Sequence, residues 1–134
     1  MREDQLKKDQ YYQKFSDCFV LKQKNEVIGI GVNNLSDWQS YYMRYFILLP
    51  QYRGQGIFQA YTEWLIGVLS RHGVNRIEMH VSPSNPVQIH RVNKLGFAMT
   101  GLSLSERWGA MIHFTRFLQT NLETHFVESF CSGD

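Results

Sequence analysis

The run Pro50-Gln51-Tyr52-Arg53-Gly54-Gln55-Gly56-Ile57-Phe58 decides how this chain is read. Before it, Tyr41 to Leu49 is an aromatic and aliphatic stretch halted by Pro50, the pattern of a buried strand. After it, Ile57, Tyr61, Trp64, Leu65, Val68 and Leu69 recur at helical spacing, which predicts an amphipathic helix to Arg71 closed by His72-Gly73. Two glycines therefore stand between a strand and a helix. Glycine tolerates positive φ and lets a ligand come close to the backbone. The main-chain N–H groups of Arg53, Gly54, Gln55, Gly56, Ile57 and Phe58 are then gathered at a helix N-terminus, with the positive end of the helix dipole behind them and the Arg53 charge beside them. A diphosphate is the natural occupant of such a cradle. The other common phosphate loops fit worse. GxxxxGK[ST] lacks its lysine and hydroxyl after Gly56, and GxGxxG would need a glycine where Gln59 stands.

Working outward, Cys18 to Gln23 and Glu26 to Val32 read as strands joined at Lys24-Asn25, and Asn33 to Gln39 reads as a polar loop. Val74 to Val81 is a strand in which Ile77, Met79 and Val81 alternate with Glu78 and His80. Ser82-Pro83-Ser84-Asn85-Pro86 breaks it and opens a second helix, with Ser84 or Asn85 as N-cap and a proline in the first turn, ending at Gly96. Phe97 to Leu104 and Trp108 to Phe117 form a closing antiparallel pair. A short helix is expected over residues 1–17, where Leu6, Tyr11, Tyr12 and Phe15 make a partial apolar face, and a tail or helix over 118–134. Trp64 and Trp108 are read as packing residues. This order of elements predicts an α/β fold of the α+β kind: a mixed, mostly antiparallel sheet with helices on both faces.

Composition sets the frame. The chain has 134 residues, 43% hydrophobic and 14% aromatic, which fits a single domain over residues 1–134 with a real core. The net charge is +2 and its 14 basic residues are dispersed, so no basic run points to nucleic acid. No apolar run approaches the ~20 residues of a membrane span, and the N-terminus is too polar for a signal peptide. Cys18 and Cys131 have neither CxxC nor metal-ligand spacing and read as reduced thiols, so the expected setting is cytoplasmic, with no metal.

The glycine stretch resembles the GNAT superfamily of acetyl-CoA-dependent N-acetyltransferases. The family's P-x-x-R-G-x-G is met by Pro50 to Gly56, and its Q/R-x-x-G-x-G/A by Gln51 to Gly56. The alternative frame from Arg53 fails at Phe58, where a small residue is usual. A second block, N-x-x-A-x-x-x-Y-x-x-x-G-F, is met at Asn85, Gly96 and Phe97, with Gln88 in place of alanine and Val92 in place of tyrosine. Together the blocks cover roughly residues 45–117. The resemblance implies acetyl-CoA as co-substrate, an amine as acceptor, a V-shaped gap between the strands at 41–49 and 74–81, and a pantetheine arm bonded near Leu48 and Leu49 and held by Asn85. It also leaves a homodimer open.

Acetyl transfer to an amine needs a base, because alkylamines titrate near ~10. Glu78 and His80, on the strand beside the implied gap, are the candidate bases, and His80 titrates in the useful range. Tyr41, Tyr42 and Tyr45 are candidate walls for the acceptor, with ordinary core packing as the alternative. The family's usual leaving-group acid is the tyrosine that Val92 replaces, and valine cannot donate. His90 falls on another helix face, and Asn93 cannot give up a proton. Three readings follow: an acetyltransferase, a catalytically weak acyl-CoA-binding module, or an interaction domain with no cofactor. The acceptor itself is not legible, because acceptor loops vary within one fold.

Overall fold

A computed structural model describes residues 16–37 and 39–119. Six strands and two α-helices follow in order: β1 (Ser16–Gln23), β2 (Glu26–Leu35), β3 (Ser40–Leu48), a 3₁₀ turn at Pro50–Tyr52, α1 (Ile57–Arg71), β4 (Arg76–Val81), α2 (Pro86–Lys94), β5 (Ala98–Ser105) and β6 (Gly109–Phe117). They form one sheet in the order β1-β2-β3-β4-β6-β5, antiparallel throughout except for the central β3–β4 pair. The helices expected over 1–17 and 118–134 lie outside the described residues apart from their inner ends. Ser16 and Asp17 already belong to β1, and Leu118-Gln119 is a bend.

The helical stripe read from the sequence is the buried face of α1: Tyr61, Leu65 and Leu69 lie one turn apart and are buried. They share one core with Val92 of α2, with Tyr41 and Met43 of β3, with Ile77, Met79 and Val81 of β4, and with Phe114 of β6. The alternation of β4 sends Glu78 and His80 to the other face. α2 begins where the sequence signals it. Asn85 is the N-cap, its Oδ1 accepting the Gln88 N–H at 3.2 Å, and Pro86 occupies the first turn, where a missing N–H costs nothing.

Three features depart from the simple reading. β2 runs on to Leu35 through residues expected to be loop. Asn33 is fully buried there, and its amide donates to the Tyr61 hydroxyl at 2.7 Å, which offsets the poor strand preference of asparagine. Trp108 sits on the β5–β6 turn and is 68% exposed, while Trp64 is half-exposed and packs edge-on against Phe19. Finally, β2 and β3 slip register between Val32 and Asn33: Val32 faces Tyr45, and Asn33 faces Met43. Arg44 is thus an extra residue in β3. The bulge resets the strand's phase, so Tyr41 and Met43 before it and Phe46 and Leu48 after it all turn toward α1.

The Asn33–Tyr61 bond gives a stability test. Tyr61→Phe leaves a buried amide without its acceptor, and urea unfolding should register a loss of about 1–3 kcal/mol. An unchanged midpoint would mean that the bond contributes nothing net.

The feature that positions the site is the short reach of the β3–β4 pairing. It covers Ser40 opposite Arg76, Tyr41 opposite Ile77 and Tyr42 opposite Glu78, and stops. β3 continues beside β2 as far as Leu48, and β4 continues beside β6 as far as Val81. The sheet therefore opens into a V beyond Tyr42 and Glu78.

Candidate functional site

The opening is a cleft of about 930 Å³ whose walls are β3 from Met43 to Leu48 and β4 from Met79 to Val81, with the glycine loop at one rim and α2 at the other. Arg44, Arg53, Arg91 and Lys94 line it, together with His80 and His90, and among the described residues no Asp or Glu does. On a chain of net charge only +2, such one-sided lining makes a strongly positive cleft.

At its rim, Gly54 and Gly56 both adopt φ +78°, and an added Cβ at either would meet no protein atom within 4 Å. Their conformation, rather than crowding, calls for glycine. Gly56 is the N-cap of α1 and offers no side-chain cap, and the first turn holds no acidic residue. The first main-chain bond of the helix runs from the Ala60 N–H to the Gly56 carbonyl. Among the described residues, no acceptor meets the N–H groups of Gly54, Gln55, Gly56, Ile57 and Phe58. The Arg53 N–H, expected in the same group, instead donates to the Pro50 carbonyl at 3.2 Å, closing the 3₁₀ turn.

The main-chain edge of β3 is more selective than the sequence reading held. The Leu49 N–H donates to the Ile28 carbonyl at 2.9 Å, and its own carbonyl accepts from Tyr52 at 3.0 Å, so the Leu49 N–H is already engaged within the protein. Because N–H and C=O groups alternate along an antiparallel ladder, the edge groups of Leu48 and Phe46 turn the other way, into the gap. The Leu48 carbonyl takes the Arg53 Nε at 3.3 Å, which fixes the arginine beside the loop. Phe46 was not foreseen. The ladder alternation that selects it needs the register with β2, which sequence alone does not supply.

The three tyrosines part company. Tyr41 lies in the core, its hydroxyl donating to Asp17 at 2.6 Å. Burial first, and then the Asp17 carboxylate, push its phenol far above the ordinary range. It is no wall of the cleft. Tyr45 is 53% exposed and lines the cleft, with the Arg44 guanidinium 5.4 Å from its ring centre. Tyr42, half-buried on the face away from α1, meets His80 at a ring separation of 4.9 Å. Of the two candidate bases, His80 lines the cleft, whereas Glu78 lies deeper in the sheet opposite Tyr42 and Thr115. Partial burial, and next the neighbouring His113, hold His80 below its ordinary pKa. It is therefore neutral, with a free ring nitrogen, at neutral pH.

The family model described as the acetyltransferase (GNAT) family matches residues 1–97. The chain belongs to this family. Solved GNAT structures share its fold. An acetyltransferase from Elizabethkingia anophelis with acetyl-CoA bound superposes with a TM-score of 0.75 at 17% identity, covering 87% of this chain and 83% of that one. The ribosomal-protein-S18-alanine N-acetyltransferase of Escherichia coli gives 0.71 at 19%, covering 90% and 79%. A Bacillus subtilis acetyltransferase in complex with CoA gives 0.74 at 14%, covering 87% and 86%. No curated protein sequence matches the chain.

The GNAT cofactor fits what the cleft offers. Its diphosphate suits the N–H groups of Gly54 to Phe58, and its further phosphate suits the cations of the lining. Asn85 lines the cleft too, although its side-chain oxygen is already engaged in capping α2. Val92, in the position of the usual GNAT tyrosine, is fully buried in the core. Among the described residues no cluster of His, Cys, Asp and Glu could hold a metal ion, and no helix is long and apolar enough to cross a membrane.

Proposed function

We propose that this GNAT protein transfers the acetyl group of acetyl-CoA to a primary amine of a small molecule or peptide, by direct attack in a ternary complex. One observation carries the proposal. Among the described residues, a run of unsatisfied N–H groups from Gly54 to Phe58 opens onto a cleft lined by cations and no carboxylate, which leads to a neutral imidazole at His80.

Acetyl-CoA supplies an activated acyl group on a thiol that leaves readily. The chain supplies position and proton management. Gly54 to Phe58 and Arg53 hold the diphosphate end, and the edges of Leu48 and Phe46 lay the arm along β3. The donor is thereby fixed before the amine arrives, and orientation accounts for much of the rate. The Phe46 N–H, turned into the gap, is a donor for the charge that develops on the acetyl oxygen. Tyr45 and Tyr42 flank the approach of the acceptor. As the amine nitrogen bonds to the acetyl carbon, its N–H proton passes to His80, the carbon–sulfur bond breaks, and the thiolate takes a proton from water. Acceptors named for proteins of this fold include spermidine and a ribosomal-protein alanine, both amines.

A second reading, a catalytically weak acyl-CoA-binding module, draws on Val92, which removes the tyrosine proton donor. Calorimetry with CoA, followed by thiol release from acetyl-CoA across a panel of amines, separates the two. The proposal expects binding and amine-dependent thiol release. Binding without release gives the module, and absence of binding sinks both.

A further inference from the structure

We infer that His113 is a positioning residue, whose imidazole, pinned by Ser103, clamps the His80 ring against Tyr42 at the mouth of the cleft. The inference rests on the reading of His80 as the base.

The geometry is a row of side chains crossing four strands on the sheet face away from α1. His80 and His113 are a cross-strand pair of β4 and β6. Their rings lie nearly parallel, 10° apart, with centres separated by 3.8 Å. Tyr42 of β3 closes on the other side of His80 at 4.9 Å. His113 is anchored in turn, its Nε2 lying 2.9 Å from the Ser103 Oγ of β5. His80, alone of these four, lines the cleft. A side chain exposed on one side would sample several rotamers if nothing held it. Here the parallel His113 ring fixes its plane and the Tyr42 ring, tilted by 53°, abuts it, and a base must be held within a fraction of an ångström of its proton to be effective.

The same stack governs charge. Two imidazolium rings in face-to-face contact repel, so His113 disfavours a proton on His80. Among the described residues, Arg44, Arg53, His90, Arg91 and Lys94 line the cleft with His80, Tyr42 meets its ring, and Glu78 shares its strand. Burial and His113 are the influences that lower its proton affinity. The clamp therefore leaves His80 unprotonated and oriented when an amine is to be deprotonated.

The test is NMR titration of the His80 ring, set beside kinetics, in H113A, H113F and S103A. In H113A the His80 midpoint should rise by about half a pH unit or more as the like-charge neighbour goes. kcat should fall about tenfold with the Kd for CoA unchanged, because a loosened base forfeits part of its 10²–10⁴-fold contribution. H113F restores a flat ring, so kcat should recover most of its value while the His80 midpoint stays raised. S103A keeps both rings, frees the anchor and should move both readouts less, in the same directions. If H113A does not fold, S103A decides. A His80 titration and a kcat identical to wild type, in H113A or in S103A read alone, overturn the inference. Failure of the base reading has a different signature: H80Q would keep full kcat, while the His80 midpoint would still shift in H113A.

Discussion

Gly56→Glu is expected to weaken CoA binding at least a hundredfold while leaving a folded protein. Gly56 sits at φ +78°, where any other residue pays about 1–2 kcal/mol in backbone energy. Its Cβ would meet no protein atom, so the fold survives that cost. The cleft does not. A carboxylate placed among the N–H groups of Gly54 to Phe58 takes up donors meant for phosphate and repels what remains. Each charge-assisted bond forgone is worth about 1.5–3 kcal/mol. Loss of one or two amounts to about 3 kcal/mol, which is about a hundredfold in Kd. Gly73→Ala serves as the control, because Gly73 has the same conformation, φ +77°, and open space, but lies at the far end of α1 outside the cleft. It should lower Tm and leave Kd alone. Calorimetry with CoA reads both, and equal Kd values for wild type and Gly56→Glu would remove the diphosphate from this loop.

His80→Gln should cut kcat by about 10²–10⁴-fold, the usual contribution of a general base, with no change in CoA affinity. The pH dependence carries more information than the size of the loss. A base works only when deprotonated, so wild-type kcat should fall as pH drops through the pKa of His80. Burial and His113 set that pKa below the ordinary imidazole value of about 6.5, and the acid limb should lie below it. In His80→Gln that limb should vanish. Thiol-release assays across pH in both proteins check this. A variant profile that keeps the wild-type acid limb would place the base elsewhere.

Much of this architecture was written in local patterns, and the misses share a cause. The strand, glycine loop and helix around Pro50 to Arg71 were legible because each obeys its own short-range rule: an apolar run, a turn, a helical stripe. The V between β3 and β4 entered through family resemblance, and the three-residue parallel ladder bears it out. Residues whose fate depends on register were not legible. The bulge at Arg44 reverses strand phase, so no alternation rule could tell that Tyr41 turns to the core while Tyr45 turns to the cleft. Leu49 looks equivalent to Leu48 in sequence, yet the β2 ladder takes its N–H and the 3₁₀ turn bonds its carbonyl. Asn33 was read as loop because its stabilising partner, Tyr61, lies on a distant helix. His113 carries no local signal for the same reason, since nothing near it in sequence announces His80 as its neighbour.

The early parting of β3 and β4 also has a thermodynamic corollary. Main-chain groups that an unbroken sheet would satisfy internally are kept for a guest molecule, so the resting protein carries an open seam. On the proposed reading, an acyl donor bound there would act as a removable rung of the ladder. By mass action, each rise in donor concentration above its dissociation constant deepens the native well. The melting temperature should then rise with the concentration of acyl donor, and a CoA titration followed by thermal unfolding reads the effect.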